Sequence, residues 1–96
     1  MKDLDKYRAQ IETELTKFGK SIEELERENE RQKDKFQVQR RDQLENIKEK
    51  KSQAEDRLKE IDRSKEENKH QLLEELRGFV KDIDDNLRRA FSYVAY

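Results

Sequence analysis

Residues 15–36 read LTKFGKSIEELERENERQKDKF, and the spacing of Leu15, Phe18, Ile22, Leu25, Asn29, Gln32 and Phe36 decides the fold class. The steps are three or four residues and add to three heptads, which places these side chains in one stripe along an α-helix. Nearly every residue between them is charged. A helix this polar cannot bury its stripe alone, so the stripe requires a second helix, supplied by another copy or by a distant part of the same chain.

Outward from this stretch the pattern continues. Leu4, Tyr7 and Ile11 lead into it with helical spacing. Gly19 costs about 1 kcal/mol relative to Ala inside a helix, and Ser21-Ile22-Glu23-Glu24 matches a capping box that could start a new one. The stripe matches on both sides of Gly19, which favours continuity. From Phe36 to Leu44 the step is eight, so one residue is extra and the seam is locally unwound with Gln39 or Arg40 facing inward. Leu44, Ile47, Lys51, Ala54, Leu58, Ile61, Lys65, Asn68 and Leu72 then hold heptad register, with Lys51, Lys65 and Asn68 in core slots that restrict register and partner number.

Beyond Leu72 the residues Leu76, Phe79, Val80, Ile83, Leu87, Ala90, Phe91 and Val94 read as 11-residue repeats. That period gives a straighter path and a wider apolar face, on which more than two helices meet. The chain closes with Phe91-Ser92-Tyr93-Val94-Ala95-Tyr96, its most apolar hexapeptide. Four acid-before-base pairs, Glu23 with Arg27, Glu55 with Lys59, Asp84 with Arg88 and Asp85 with Arg89, support the exposed faces. The expected architecture is all-α from about residue 3 to residue 93, one coiled-coil domain over residues 1–96. Its heptad part covers 1–71 and its hendecad-like amphipathic part 72–96.

Composition agrees with this class. Charged residues make up 49% of the 96 and hydrophobic ones 30%, with no Pro, Cys or Trp, a balance of long helices and coiled coils. The net charge of -1 gives no general field toward phosphate backbones or anionic lipid. Absence of Cys excludes a disulfide framework and suits a reducing compartment. Acids in the first residues and the lack of a long apolar run argue against a signal peptide or membrane span, so the expected location is cytoplasmic.

A mirror symmetry suggests antiparallel pairing. Residues whose numbers sum to 97 or 98 match in kind: Phe18 with Phe79, Ile22 with Leu76, Leu25 with Leu72, Asn29 with Asn68, Phe36 with Ile61, Leu15 with Ile83. An Asn opposite an Asn satisfies both buried amides. Two architectures share this pairing. One is a homodimer of full-length helices, each roughly 140 Å long. The other is a helical hairpin turning near Lys48 to Ser52, where Ser52-Gln53-Ala54-Glu55 makes a second capping box. A third box, Ser64-Lys65-Glu66-Glu67, shows how readily this composition produces such matches. With no Gly or Pro at 48–52 and unbroken heptad phase, the continuous helix is favoured. The expected oligomer interface comprises Leu15, Phe18, Ile22, Leu25, Asn29, Phe36, Leu44, Ile47, Leu58, Ile61, Asn68, Leu72, Leu76, Phe79, Ile83 and Leu87. On this reading Asn29→Leu raises stability and broadens the oligomeric state.

Reaction chemistry finds no support. His70, with Glu67 before it and Glu74 after, has the Glu-x-x-His spacing of di-iron bundles, but it falls off the seam and reads as solvated. No catalytic residue, metal site or cofactor is expected, and an enzyme is excluded for want of a nucleophile, phosphate loop or concave core. Residues 31–51 hold eight basic and four acidic residues; the interleaved acids disfavour nucleic acid. Phe91, Tyr93, Val94 and Tyr96 are the candidates for docking a partner or a lipid surface.

Leu58-Lys59-Glu60-Ile61-Asp62, Leu76-Arg77-Gly78-Phe79-Val80-Lys81-Asp82-Ile83 and Asp85-Asn86-Leu87-Arg88-Arg89-Ala90-Phe91 resemble short bacterial coiled-coil proteins of unassigned function. That resemblance implies a helical fold and no particular activity. The expectation is a structural or protein-interaction coiled coil that self-associates as a dimer or tetramer and scaffolds or docks a partner. Reversible adsorption to a membrane surface through the C-terminal helix is the alternative.

Overall fold

Heptad stripes separated by one-residue slips fold here into three helices. The computed structural model describes the backbone of residues 2–94 and the side chains of residues 4–92. The helices are α1 (Lys2–Arg31), α2 (Gln37–Asp62) and α3 (Glu66–Val94), and the described residues contain no strand. The all-α expectation therefore holds.

The continuous rod does not. The described chain measures 51 × 18 × 16 Å, the length of one 30-residue helix, because it turns at residues 32–36 and again at 63–65. Residues 48–52, the expected hairpin turn, lie in the middle of α2, and Gly19 lies inside α1. Arg8 meets Asp62 and Glu26 meets Lys48, so α1 and α2 run in opposite directions. Tyr7 lies beside Arg77, and α1 and α3 run the same way.

Each helix contributes a heptad spine to one core. The buried residues are Ile11, Leu15, Phe18, Ile22, Leu25 and Asn29 from α1, and Arg40, Leu44, Ile47, Ala54, Leu58 and Ile61 from α2. Leu73, Leu76, Val80, Ile83, Leu87 and Ala90 complete it from α3. Burying a Leu, Ile or Phe from such positions contributes roughly 1.5–3 kcal/mol each. The α3 spine steps strictly by heptads from Leu73 to Ala90, in place of the 11-residue repeat. Leu72 and Phe79 flank it, half-buried, because α3 packs on both other helices and its apolar face is correspondingly wide.

The heptad phase advances by one residue at each turn. The eight-residue step from Phe36 to Leu44 marks the first turn, and the shift of the spine from Leu72 to Leu73 follows the second. An expected local unwinding and an expected change of period are thus both chain reversals. Asn68 and Lys65, assigned to core slots, lie exposed at the start of α3 and in the turn before it. Lys51 keeps its slot half-buried: its stem passes over Gly19, where an added Cβ would stand 3.4 Å from the Lys51 Cε. Its ammonium reaches Glu55 at 3.0 Å.

Candidate interaction surface

Where α1 ends, α2 begins and α3 ends, the polar residues of the seam fold into a knot. Asn29 and Arg40 are buried, at 4% and 8% exposure. The Asn29 amide donates to the Gln37 carbonyl at 3.0 Å, and the Gln37 side chain donates back to the Asn29 carbonyl at 3.1 Å. Arg40 Nε donates to Asn29 Oδ1 at 2.7 Å, and its terminal nitrogen donates to the Gln32 carbonyl at 3.1 Å and Asp34 Oδ1 at 3.0 Å. A buried guanidinium is tolerated only when its donors are satisfied in this way.

Asp34 supplies the reversal itself. Its Oδ1 accepts the Phe36 backbone N–H at 2.9 Å, an Asx turn that substitutes for Gly or Pro. No residue outside glycine takes a positive φ among the described residues. The Phe36 N–H, aided by Arg40, holds the Asp34 carboxyl below the usual carboxylate range. Asn29 thus meets Arg40 and Gln37 of the next helix and has no Asn across from it within the chain. The mirror pairing of Phe18 with Phe79 is likewise not made within the chain, since Phe79 lies under the Arg57 guanidinium at 4.6 Å.

This same end carries every large apolar side chain that is exposed among the described residues: Phe36 at 50%, Val38 at 56% and Phe91 at 38%. Phe91 sits beside Glu24, Arg27, Glu28 and Arg31 in the last turns of α1. Lys35 stands 5.1 Å from the centre of the Phe36 ring. By contrast the half-buried Tyr7 and Phe79 elsewhere are covered by guanidinium groups from other helices, Arg77 at 5.4 Å and Arg57 at 4.6 Å. The end's charge is divided. Residues 23–30 hold five acids against Arg27, while residues 31–41 hold Arg31, Lys33, Lys35, Arg40 and Arg41 against Asp34.

Of the residues expected at an intermolecular seam, Leu15, Phe18, Ile22, Leu25, Asn29, Leu44, Ile47, Leu58, Ile61, Leu76, Ile83 and Leu87 are buried within the single chain. Leu72 and Phe79 are half-buried, and Phe36 and Asn68 are exposed. Among the docking candidates, Phe91 lies on the surface described above. Tyr96 and the side chains of Tyr93 and Val94 lie outside the described residues. Val38 was missed because it falls off every stripe, which is itself the signal that could have found it: an apolar residue flanked by Gln37 and Gln39 with no seam to join.

A second concavity is the open groove between α1 and α3, floored by Phe18, Gly78 and Leu87. Its charged lining mixes Lys17, Arg77, Lys81 and Arg88 with Glu14, Glu74 and Asp84. His70 is exposed, its Nδ1 3.7 Å from Glu74, and no group of three or more His, Cys, Asp or Glu among the described residues could hold a metal ion. No helix of the described residues is long and apolar enough to cross a membrane. Of the four expected helix-face pairs, Asp84 with Arg88 closes, at 3.0 Å; Glu55 takes Lys51 instead of Lys59. No protein-family model matches the sequence, and no curated protein or solved structure matches it.

Proposed function

We propose that this chain is a non-catalytic interaction protein, a three-helix bundle that docks a protein partner through the end bearing Phe36, Val38 and Phe91. The observation that carries this reading is where the apolar surface goes. The heptad seam is spent inside the chain, and the large apolar residues left exposed concentrate at one end, on and around a turn fixed by buried hydrogen bonds. A rigid, partly apolar and charged surface is what a protein interface needs, with aromatic anchors ringed by polar groups. Adsorption to lipid through α3 has less support. It would require Leu73, Leu76, Val80, Ile83 and Leu87, all buried, to leave the core.

The test is a photo-crosslinking amino acid placed at Val38 and, as control, at the exposed Glu67 near the opposite end. The expected result in the source cell is discrete heavier species from position 38 and none from position 67. Adducts that are equally diffuse from both positions would overturn the reading.

A further inference from the structure

The buried spines of α2 and α3 repeat at a fixed interval. Leu44, Ile47, Ala54, Leu58 and Ile61 are followed, four heptads and one residue later, by Leu73, Leu76, Ile83, Leu87 and Ala90, all buried. That interval is about eight turns of an α-helix at 3.6 residues per turn, so residues so spaced share one face of a straight helix to within about 20°. Four heptads alone would leave the α3 stripe about 80° round from that of α2, because the heptad drifts by about 20° per repeat. The one-residue slip thus has a second consequence: it keeps the two stripes in line if the chain runs straight through the second turn.

Nothing in that turn forbids a straight path. Arg63, Ser64 and Lys65 are neither Gly nor Pro, no described residue outside glycine takes a positive φ, and Arg63 lies close to helical values at φ −90° and ψ −7°. The Arg63 and Ser64 N–H groups donate to the Glu60 and Ile61 carbonyls, and each bond becomes an ordinary helical one by moving a single carbonyl back along the chain. The Ser64 hydroxyl reaches the Glu60 carbonyl, a bond that a continuous helix also allows. No side chain of residues 63–65 bonds to another helix among the described residues. Straightening the first turn, by contrast, would break the buried bonds of Arg40 to Asn29, Gln32 and Asp34.

We infer that the second turn is a hinge through which two copies of this chain exchange α3. In the exchanged dimer, residues 37–94 of each copy form one helix roughly 87 Å long. The two long helices lie antiparallel about a two-fold axis at residues 63–65, and the aligned stripe lets each face the other along its whole length, with one α1 over each half. The contacts of α3 are remade between copies, including Arg57 on Phe79 and Arg77 on Tyr7, while the Arg8 to Asp62 contact stays within each chain. The closed and exchanged forms therefore bury the same core, and concentration sets the balance between them. The hinge lies at the opposite end from Phe36, Val38 and Phe91, so the exchange does not depend on the docking proposed above.

The full chain is unfolded in urea, refolded at high and at low concentration, and separated by size-exclusion chromatography with light scattering. The expected result is a dimer from the concentrated sample alone, which then persists on dilution because α3 must leave the core before it can return. Its topology is read from Glu45→Cys/Asp85→Cys carrying a fluorescent donor and acceptor, in a chain with no other Cys, diluted into unlabelled protein. Both positions are exposed. In the closed bundle they stand at the same level of adjacent helices, within its 18 × 16 Å cross-section; in the exchanged dimer they stand about 60 Å apart at 1.5 Å per residue. Energy transfer should be strong in the monomer and lost in the dimer. Arg63→Ala/Ser64→Ala/Lys65→Ala favours the continuous helix and should raise the dimerisation constant roughly ten-fold. Insertion of Gly-Gly-Ser-Gly after Ser64 lengthens the connection and should abolish the dimer while leaving a cooperative melting curve. Absence of a dimer after concentrated refolding, a dimer whose labels stay close, an alanine hinge without added dimer, or an insertion that leaves the dimer unchanged overturns the proposal.

Discussion

Residues 32–36 and residues 63–65 both reverse the chain without glycine or proline, yet they are held in different ways. At the second turn the backbone closes on itself. The Arg63 N–H donates to the Glu60 carbonyl at 3.1 Å and the Ser64 N–H to the Ile61 carbonyl at 3.0 Å, a tightening of the last turn of α2. The Ser64 hydroxyl returns to the Glu60 carbonyl at 2.9 Å. At the first turn, side chains eleven residues apart, Asn29 and Arg40, are buried together and fasten the turn to both helices. The second turn is a connection; the first is a fixed surface. The docking proposed above would draw on that difference, since a docking surface gains from being rigid before the partner arrives.

The largest expected effect comes from cutting the knot. Arg40→Ala leaves the buried Asn29 oxygen and the Gln32 carbonyl without their donor, and should cost about 2 kcal/mol of unfolding free energy. Asn29→Leu should cost a similar amount, about 2 kcal/mol, by leaving the buried Arg40 Nε without its acceptor and removing the amide's bond to the Gln37 carbonyl. The sequence alone favoured the opposite sign for that substitution, and midpoints of urea unfolding for the two variants decide between them. A gain in stability for Asn29→Leu would mean that the knot does not hold the turn.

Gly78→Ala tests a helix interior away from both turns. An added Cβ meets nothing within 4 Å, so the helix-interior gain of roughly 0.5–1 kcal/mol should appear in full as a higher melting temperature. Gly19→Ala should gain less, because its Cβ meets the Lys51 stem.

The two turns also have separate acid sensitivities. At the second turn, Arg8 binds Asp62 through two of its three nitrogens, at 2.6 and 2.8 Å, and that contact holds the Asp62 carboxyl below its usual range. Asp34 is held low at the first turn. In the unfolded chain these groups titrate near pH 4. The stability they confer is therefore complete above that pH and is lost as the pH falls through their lowered native values. Arg8→Ala should cost about 0.5 kcal/mol at neutral pH, as solvent-exposed pairs do, and should shrink this acid-dependent loss. An unchanged pH profile would show that the pair contributes nothing. Ser64→Ala should have the smallest effect, under about 0.5 kcal/mol, since its hydroxyl bond is exposed and the backbone closes the turn without it; a loss as large as that of Arg40→Ala would erase the contrast between the turns.

Much of this was legible in the residues. Ile11 to Asn29 and Leu44 to Ile61 announce their spines by heptad spacing, and Arg40 was expected inward as one of two candidates. The slip after Phe36 was visible too, but a slip has two physical resolutions, a local unwinding of a continuous helix or a reversal into a new one, and periodicity does not distinguish them. The slip near Leu72 reads as a change of period because the wide face of α3 offers Leu72 and Phe79 beside the true spine. The turn at 63–65 carries no distinct signal, because Ser-x-x-Glu recurs at 21–24 and 52–55, where it lies inside helices.

The sequence by itself determined that the chain is helical and that each helix has one apolar edge to bury, since the spacing of Leu, Ile and Phe among charges leaves no other stable conformation. Only the tertiary structure decided what covers that edge. Hydrophobic burial is non-directional, so the same stripes would serve a rod in a dimer or three helices of one chain. The choice rests on contacts between residues far apart in sequence, above all the hydrogen bonds of Asn29 and Arg40 around the Asp34 turn, which exist only once the chain has folded back.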